Sequence, residues 1–118
     1  MNNYNDKQLE TSRTATIRDL NDQFRRSFVG GAVMLTASVI ALGADKQALI
    51  IAAVRAFEAF NSDNDPYGEH DFGSLEVADE SIFFKIDYFD LTRAMHSANA
   101  ADPTVTERVL TIMLASDY

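Results

Sequence analysis

Cysteine and tryptophan are absent from the 118 residues, proline occurs twice and glycine five times. Without cysteine there is no disulfide framework, no thiolate metal site and no cysteine nucleophile. So little proline and glycine excludes a collagen-like repeat and a low-complexity linker. Basic residues are also scarce, 10 Lys+Arg against 18 Asp+Glu, for a net charge of −8. That balance disfavours a general nucleic-acid binder, which needs a basic footprint to displace counterions. It equally disfavours an anionic membrane surface. Long apolar runs are missing. The greasiest stretch, 29–42, is interrupted by Gly30, Gly31, Thr36 and Ser38, and falls short of the about 20 residues a membrane span needs. The polar start, with no basic segment leading into an apolar one, does not resemble a secretory signal. The expectation is a cytoplasmic protein with no membrane partner and no direct nucleic-acid partner.

What is present is the material of one domain: 47% hydrophobic and 24% charged residues, at a length typical of a single hydrophobic core. Residues 1–12 are polar and predict a disordered tail, leaving 13–118 as the domain. Ile17, Leu20, Phe24 and Phe28 recur at helical spacing, so 14–28 predicts an amphipathic helix capped by Thr14 or Thr16. Asn21, Asp22, Arg25 and Arg26 fall on its polar side, and Gly30-Gly31 stops it. Residues 32–36 predict a strand, and 37–42 fits either an extended segment or a turn. A mostly apolar helix over 46–60, with Asp45 as its cap, is the candidate centre of the core. After a polar loop at 61–71 come two alternating runs, 72–78 and 81–89, which predict a hairpin turning at Asp79-Glu80. A second loop covers 91–104. Residues 107–114 fit a strand or a helix begun by Asp102-Pro103; β-branched Val109, Thr111 and Ile112 favour the strand. The resulting class is α+β: two helices packed on one face of a small, mostly antiparallel sheet of three to four strands.

The negative charge is concentrated. Residues 58–90 contain ten acidic side chains and one basic one, Lys85. Such a surface keeps a protein soluble, or offers itself to a cation or a basic partner. With the turn at Asp79-Glu80, Leu75 faces Phe84 and Val77 faces Ile82 on the core side. The other face then gathers His70, Glu76, Lys85 and Asp87 among phenylalanines, and Asp71 faces Tyr88. Asp63, Asp65, Glu69 and His70 are the candidate metal ligands, an oxygen-rich set with one imidazole. Neither an EF-hand nor a His-Glu-x-x-His pattern is present, and His96 lies in a different loop, so no cofactor is expected beyond a divalent metal as a minor alternative. His70, Asp71, Glu76, Lys85 and Asp87 are the candidate catalytic residues. Histidine between carboxylates suits a general base, and lysine suits stabilisation of an anion. No nucleophile elbow, phosphate-cradling loop or dinucleotide fingerprint accompanies them.

The run Asn64-Asp65-Pro66-Tyr67-Gly68-Glu69-His70-Asp71-Phe72-Gly73 is more particular than its composition. Together with Phe84-Lys85-Ile86-Asp87-Tyr88, Arg108–Leu114 and Leu20-Asn21-Asp22, it resembles a bacterial family known as domain of unknown function 3768, over about 14–118. The resemblance implies a short single-domain protein, of mostly alphaproteobacterial distribution and often encoded near mobile-element genes. It brings no activity, cofactor or partner with it. It does imply that the His70 loop and the Lys85 strand belong to one shared pattern.

The leading functional reading is a small binding protein that presents an acidic loop-and-hairpin surface to a protein partner with a basic surface, in a mobile-element accessory or anti-defence role. A homo-oligomer is compatible with it. The alternative is a small hydrolase or nuclease-like enzyme using the His/Asp/Glu/Lys set. A compact pocket that converges His70, Glu76, Lys85 and Asp87 favours the enzyme; a flat, convex acidic surface favours the binder.

Overall fold

The computed structural model describes residues 3–118. Helix α1 (Asn3–Ser27) is followed by strand β1 (Gly31–Leu35), a short helix α2 (Ala37–Ile40) and helix α3 (Ala44–Ala56). Strands β2 (Phe72–Val77), β3 (Glu80–Phe89) and β4 (Glu107–Leu114) complete a four-stranded sheet of order β1-β4-β3-β2. β2, β3 and β4 pair antiparallel, whereas β1 joins β4 in parallel. The fold is α+β, and residues 107–114 are a strand at the centre of the sheet. None of the helices described is long and apolar enough to cross a membrane.

Alternation along the strands divides the sheet into two faces. Ile82, Phe84 and Ile86 of β3, and Leu110 and Ile112 of β4, join Phe24 of α1, Val39 of α2, Ile50 and Val54 of α3, and Phe57 in one core. Phe57 meets Phe60 and Phe84 edge-on, at centroid distances of 4.8 and 5.3 Å. Close approach here requires two glycines. A Cβ on Gly73 would collide with the Phe84 ring, and one on Gly31 would collide with the Arg108 carbonyl of the adjoining strand.

Several expectations are corrected. Helix α1 begins at Asn3, so the tail expected over 1–12 is helical from residue 3; residues 1–2 lie outside the described part. Once Ile17 and Phe24 anchor the helix, adding polar turns upstream requires no new nucleation. The central helix is Ala44–Ala56 with Gly43 as its N-cap, and Asp45 sits in its first turn rather than capping it. The segment 37–42 contains α2. The hairpin turns at Ala78-Asp79, both with positive φ, the signature of the two-residue turn that matches strand twist. Phe72 therefore pairs with Lys85, Leu75 with Ile82 and Val77 with Glu80. The expected register is displaced by two residues, an even number, so each strand residue keeps its face.

Candidate functional site

Two polar groups flank the sheet, one on each face. The first lies on the helix side and is nearly sealed. From α1, Asn21 and Arg25 are fully buried; from β4, Arg108 is only 3% exposed. Arg25 donates to the Val54 and Phe57 carbonyls at 3.2 and 2.8 Å and to Asp22 at 2.9 Å, with Phe60 and Phe84 rings within 6 Å of its guanidinium. It thereby adds a donor to the Val54 carbonyl, which also accepts from the Phe57 N–H at 3.3 Å, and to the Phe57 carbonyl just beyond α3, and a cation there complements the macrodipole. Asn21 donates to the Glu69 carbonyl at 2.9 Å and to the Tyr88 hydroxyl at 2.7 Å, and accepts from Arg108 Nε at 2.8 Å. Tyr88 in turn donates to Glu69 at 2.8 Å, and Arg108 donates to the Ala100 carbonyl at 2.6 Å. Among the described residues no buried side-chain nitrogen or oxygen is left without a partner. Burial, with the Glu69 hydrogen bond, pushes the Tyr88 hydroxyl far above its ordinary range. Burial lowers the Arg108 pKa from its ordinary value.

His70 belongs to this group. It adopts φ 57° at the mouth of β2, which turns its ring to the helix side, stacked on Phe60 at 3.9 Å. Its Nδ1 lies 2.8 Å from Asp22, its Nε2 3.6 Å from Asp65, and its backbone N–H donates to Asp65 at 3.1 Å. Burial works to raise the Asp22 pKa, but hydrogen bonds from Arg25 and His70 prevail and hold the carboxyl below its ordinary value. Nδ1 is thus hydrogen-bonded to a carboxylate, while Nε2 lies beyond hydrogen-bond distance of Asp65. The ring also borders, with Arg25, Arg26, Glu58 and Phe60, a cavity of about 240 Å³ on the helix side, apart from Asp71, Lys85 and Asp87.

The second group lies on the face that α1 and α3 leave uncovered. Here β3 presents Phe83, Lys85, Asp87 and Phe89, and β2 presents Phe72, Ser74 and Glu76. Lys85 Nζ meets Asp87 at 3.2 Å. At this end of the sheet a cleft of about 310 Å³ is bordered by Asp71, Lys85 and Asp87 and by the aromatic rings of Tyr67, Phe72 and Tyr118. Tyr67 and Tyr118 are 79% and 77% exposed, so both rings are available to a ligand. Burial and the nearby carboxylates Glu69, Asp65 and Asp87 raise the Asp71 pKa above its ordinary value. Among the described residues no basic side chain forms an ion pair with Asp71.

The five candidate catalytic residues are therefore not assembled in one place. Asp71, Lys85 and Asp87 share the cleft. His70 stands across the sheet from them, and Glu76, at the far end of β2, accepts a hydrogen bond from Ser81 at 2.6 Å. The Asp71–Tyr88 pairing is replaced by Glu69–Tyr88. Of the candidate metal ligands, Asp65 and His70 face each other, Glu69 is engaged by Tyr88, and Asp63 is exposed on the loop. Among the described residues no group of three or more His, Cys, Asp or Glu side chains is arranged to hold a metal ion. Sequence reading missed the burial of Asn21, Arg25 and Arg108. For the two α1 residues a signal existed: they lie four apart beside Phe24, inside the apolar stripe rather than opposite it.

These features define a small α+β protein whose helices are fastened to a four-stranded sheet by a buried polar network and whose second sheet face is open. Over residues 35–117 the chain matches the family described as protein of unknown function (DUF3768), and it belongs to that family. The match begins after α1, so Asn21, Asp22 and Arg25 lie outside it while their partners in the loop, β3 and β4 lie within. No curated protein and no solved structure matches the chain.

Proposed function

We propose that this is a binding protein whose working surface is the open sheet face together with its cleft, and whose partner is a protein with a basic surface. The observation that carries the reading is the separation of the two polar groups: the histidine is paired with Asp22 on one side, and Asp71, Lys85 and Asp87 with aromatic neighbours stand on the other. Asp71, Glu76 and Asp87 border this face, and Asp79 stands at the hairpin turn. The one cation among them, Lys85, is already engaged by Asp87. Several other acids of 58–90 are neutralised or turned inward: Glu58 pairs with Arg26 and Glu80 with Lys46, while Asp65 and Glu69 face the core. The unpaired negative charge is thus sparser than the linear sequence suggests, and on the aromatic face it is carried by Asp71 and Glu76. A field of that sign steers cationic surfaces and repels nucleic acid. It suits a partner that itself binds nucleic acid, as a protein of host defence against mobile elements would in the bacterial cytoplasm.

Affinity capture from bacterial lysate tests the reading, with the captured protein then purified and recaptured alone. The combined variant Asp71→Asn, Glu76→Gln, Asp87→Asn is expected to remain folded, with a melting temperature no lower than the parent's, and lose the partner. Retention of the partner by that variant, or its loss from a folded His70→Ala variant, overturns the assignment.

A further inference from the structure

The cleft carries more information than its charge. Three aromatic rings, Tyr67, Phe72 and Tyr118, border a space of about 310 Å³ together with Asp71. Phe72 and Tyr118 meet edge-on, with centroids 6.1 Å apart and planes at 64°, so the contact leaves ring faces unstacked on each other. Asp71 is half-buried in the field of Glu69, Asp65 and Asp87 and lacks a basic counterpart among the described residues. Asp87 is engaged by Lys85 at 3.2 Å, which leaves Asp71 as the carboxylate open to a newcomer. Aromatic faces attract cations through their quadrupole. A planar guanidinium can stack on a ring while donating two parallel hydrogen bonds to one carboxylate, which an ammonium cannot do.

We propose that the cleft is a receptor for a single arginine side chain of the partner, stacked against Tyr67, Phe72 or Tyr118 and paired with Asp71. This deepens the binding reading above and rests on it for the nature of the partner. Lys85 does not oppose the arrangement, because Asp87 pairs with its charge at 3.2 Å. The raised Asp71 pKa fits an acid whose neighbours are all of its own sign, a condition that an incoming cation relieves.

The probe is the blocked peptide Ac-Gly-Arg-Gly-NH2, followed by amide chemical shifts of the full chain. It is expected to move the amides of Tyr67, Asp71, Phe72 and Lys85 in a saturable way. The same peptide with citrulline, which keeps the shape and removes the charge, is expected to bind at least about tenfold more weakly. Asp71→Asn is expected to weaken arginine binding by a similar factor, while Asp19→Asn on α1 leaves it unchanged. A circular-dichroism melt confirms that each variant is folded. Equal binding of arginine and citrulline, equal binding of the lysine peptide, or shifts confined to the His70 side each overturn the proposal. Arginine binding in the cleft by a protein whose purified partner survives the acid-neutralised variant would overturn the binding reading and leave the cleft assignment standing. Loss of the partner without any arginine response would do the reverse.

Discussion

Strand β3 has two faces made of alternating neighbours, and they are finished differently. Toward the helices, Phe84 and Ile86 are sealed and Tyr88 is tied at its hydroxyl to both Asn21 and Glu69. Away from them, Lys85 and Asp87 form a half-exposed pair between aromatic rings. On the first face, among the described residues, no buried side-chain nitrogen or oxygen lacks a partner. On the second, charge and aromatic surface remain unspent on folding. The difference shows that charge density alone is a poor locator of open polar surface. His70 and Lys85 belong to the same local pattern in the sequence, but the sheet assigns one to architecture and the other to the open surface.

The comparison breaks most decisively at Arg25. Arg25→Met would remove the buried guanidinium from which the Val54 and Phe57 carbonyls and the Asp22 carboxylate accept, an expected loss of about 3–5 kcal/mol, read by urea unfolding. Phe57→Ala, which empties an edge-on aromatic cluster, is expected to cost about 3 kcal/mol; a loss below about 1 kcal/mol would show that the α3 end is not central to the core. His70→Ala should cost about 1–3 kcal/mol, with the amide shifts of Lys85 and Asp87 unmoved. An unchanged melt with lost partner capture would transfer function to the helix side.

Smaller effects belong to the open face. Lys85→Met removes a half-exposed ion pair and should alter stability by no more than about 1 kcal/mol, while retaining or strengthening capture of a basic partner, because Asp87 is freed. Asp71→Asn should raise the melting temperature slightly at pH 7. Since the folded-state pKa of Asp71 is raised, its ionised form is a burden on the native state above that pKa. The burden is relieved as pH falls through it, so the advantage of the variant should fade toward the ordinary aspartate value of 3.8. An advantage that grows on acidification would contradict the crowding of carboxylates around Asp71.

Much of this architecture is legible in the sequence because its periodicities are strong. The alternation over β2 and β3 fixes which residues share a face, and the class follows from two helical stripes and three or four β-patterned runs. The register is less legible, because the turn uses Ala78 in a conformation that alanine rarely adopts, while the polar pair beside it looks like the better turn. The site is harder still. The φ of His70 reverses the face that simple alternation assigns to it, and no local pattern announces that a loop residue will seek Asp22 from 48 positions away. Arg25 looks solvated because arginine usually is; its burial follows from the C-terminal end of α3 arriving above it, a tertiary event. Parity, by contrast, protects the open face from the register error, and Lys85 and Asp87 fall where alternation places them.

The strand order has a consequence for how the protein is made. β4 is an inner strand, but it is the last of the four to leave the ribosome. Until it emerges, β1 has no partner at all, and β3 has only the β2 hairpin. β1 must then wait with its edge unsatisfied while some seventy intervening residues are synthesised, as the pairing of Gly31 with Arg108 requires. Closure over so long a loop is slow, so a nascent chain halted before Glu107 has nothing to complete and stays exposed to chaperones and proteases. The topology thus makes the last strand the one that completes the core, since Leu110 and Ile112 of β4 belong to it.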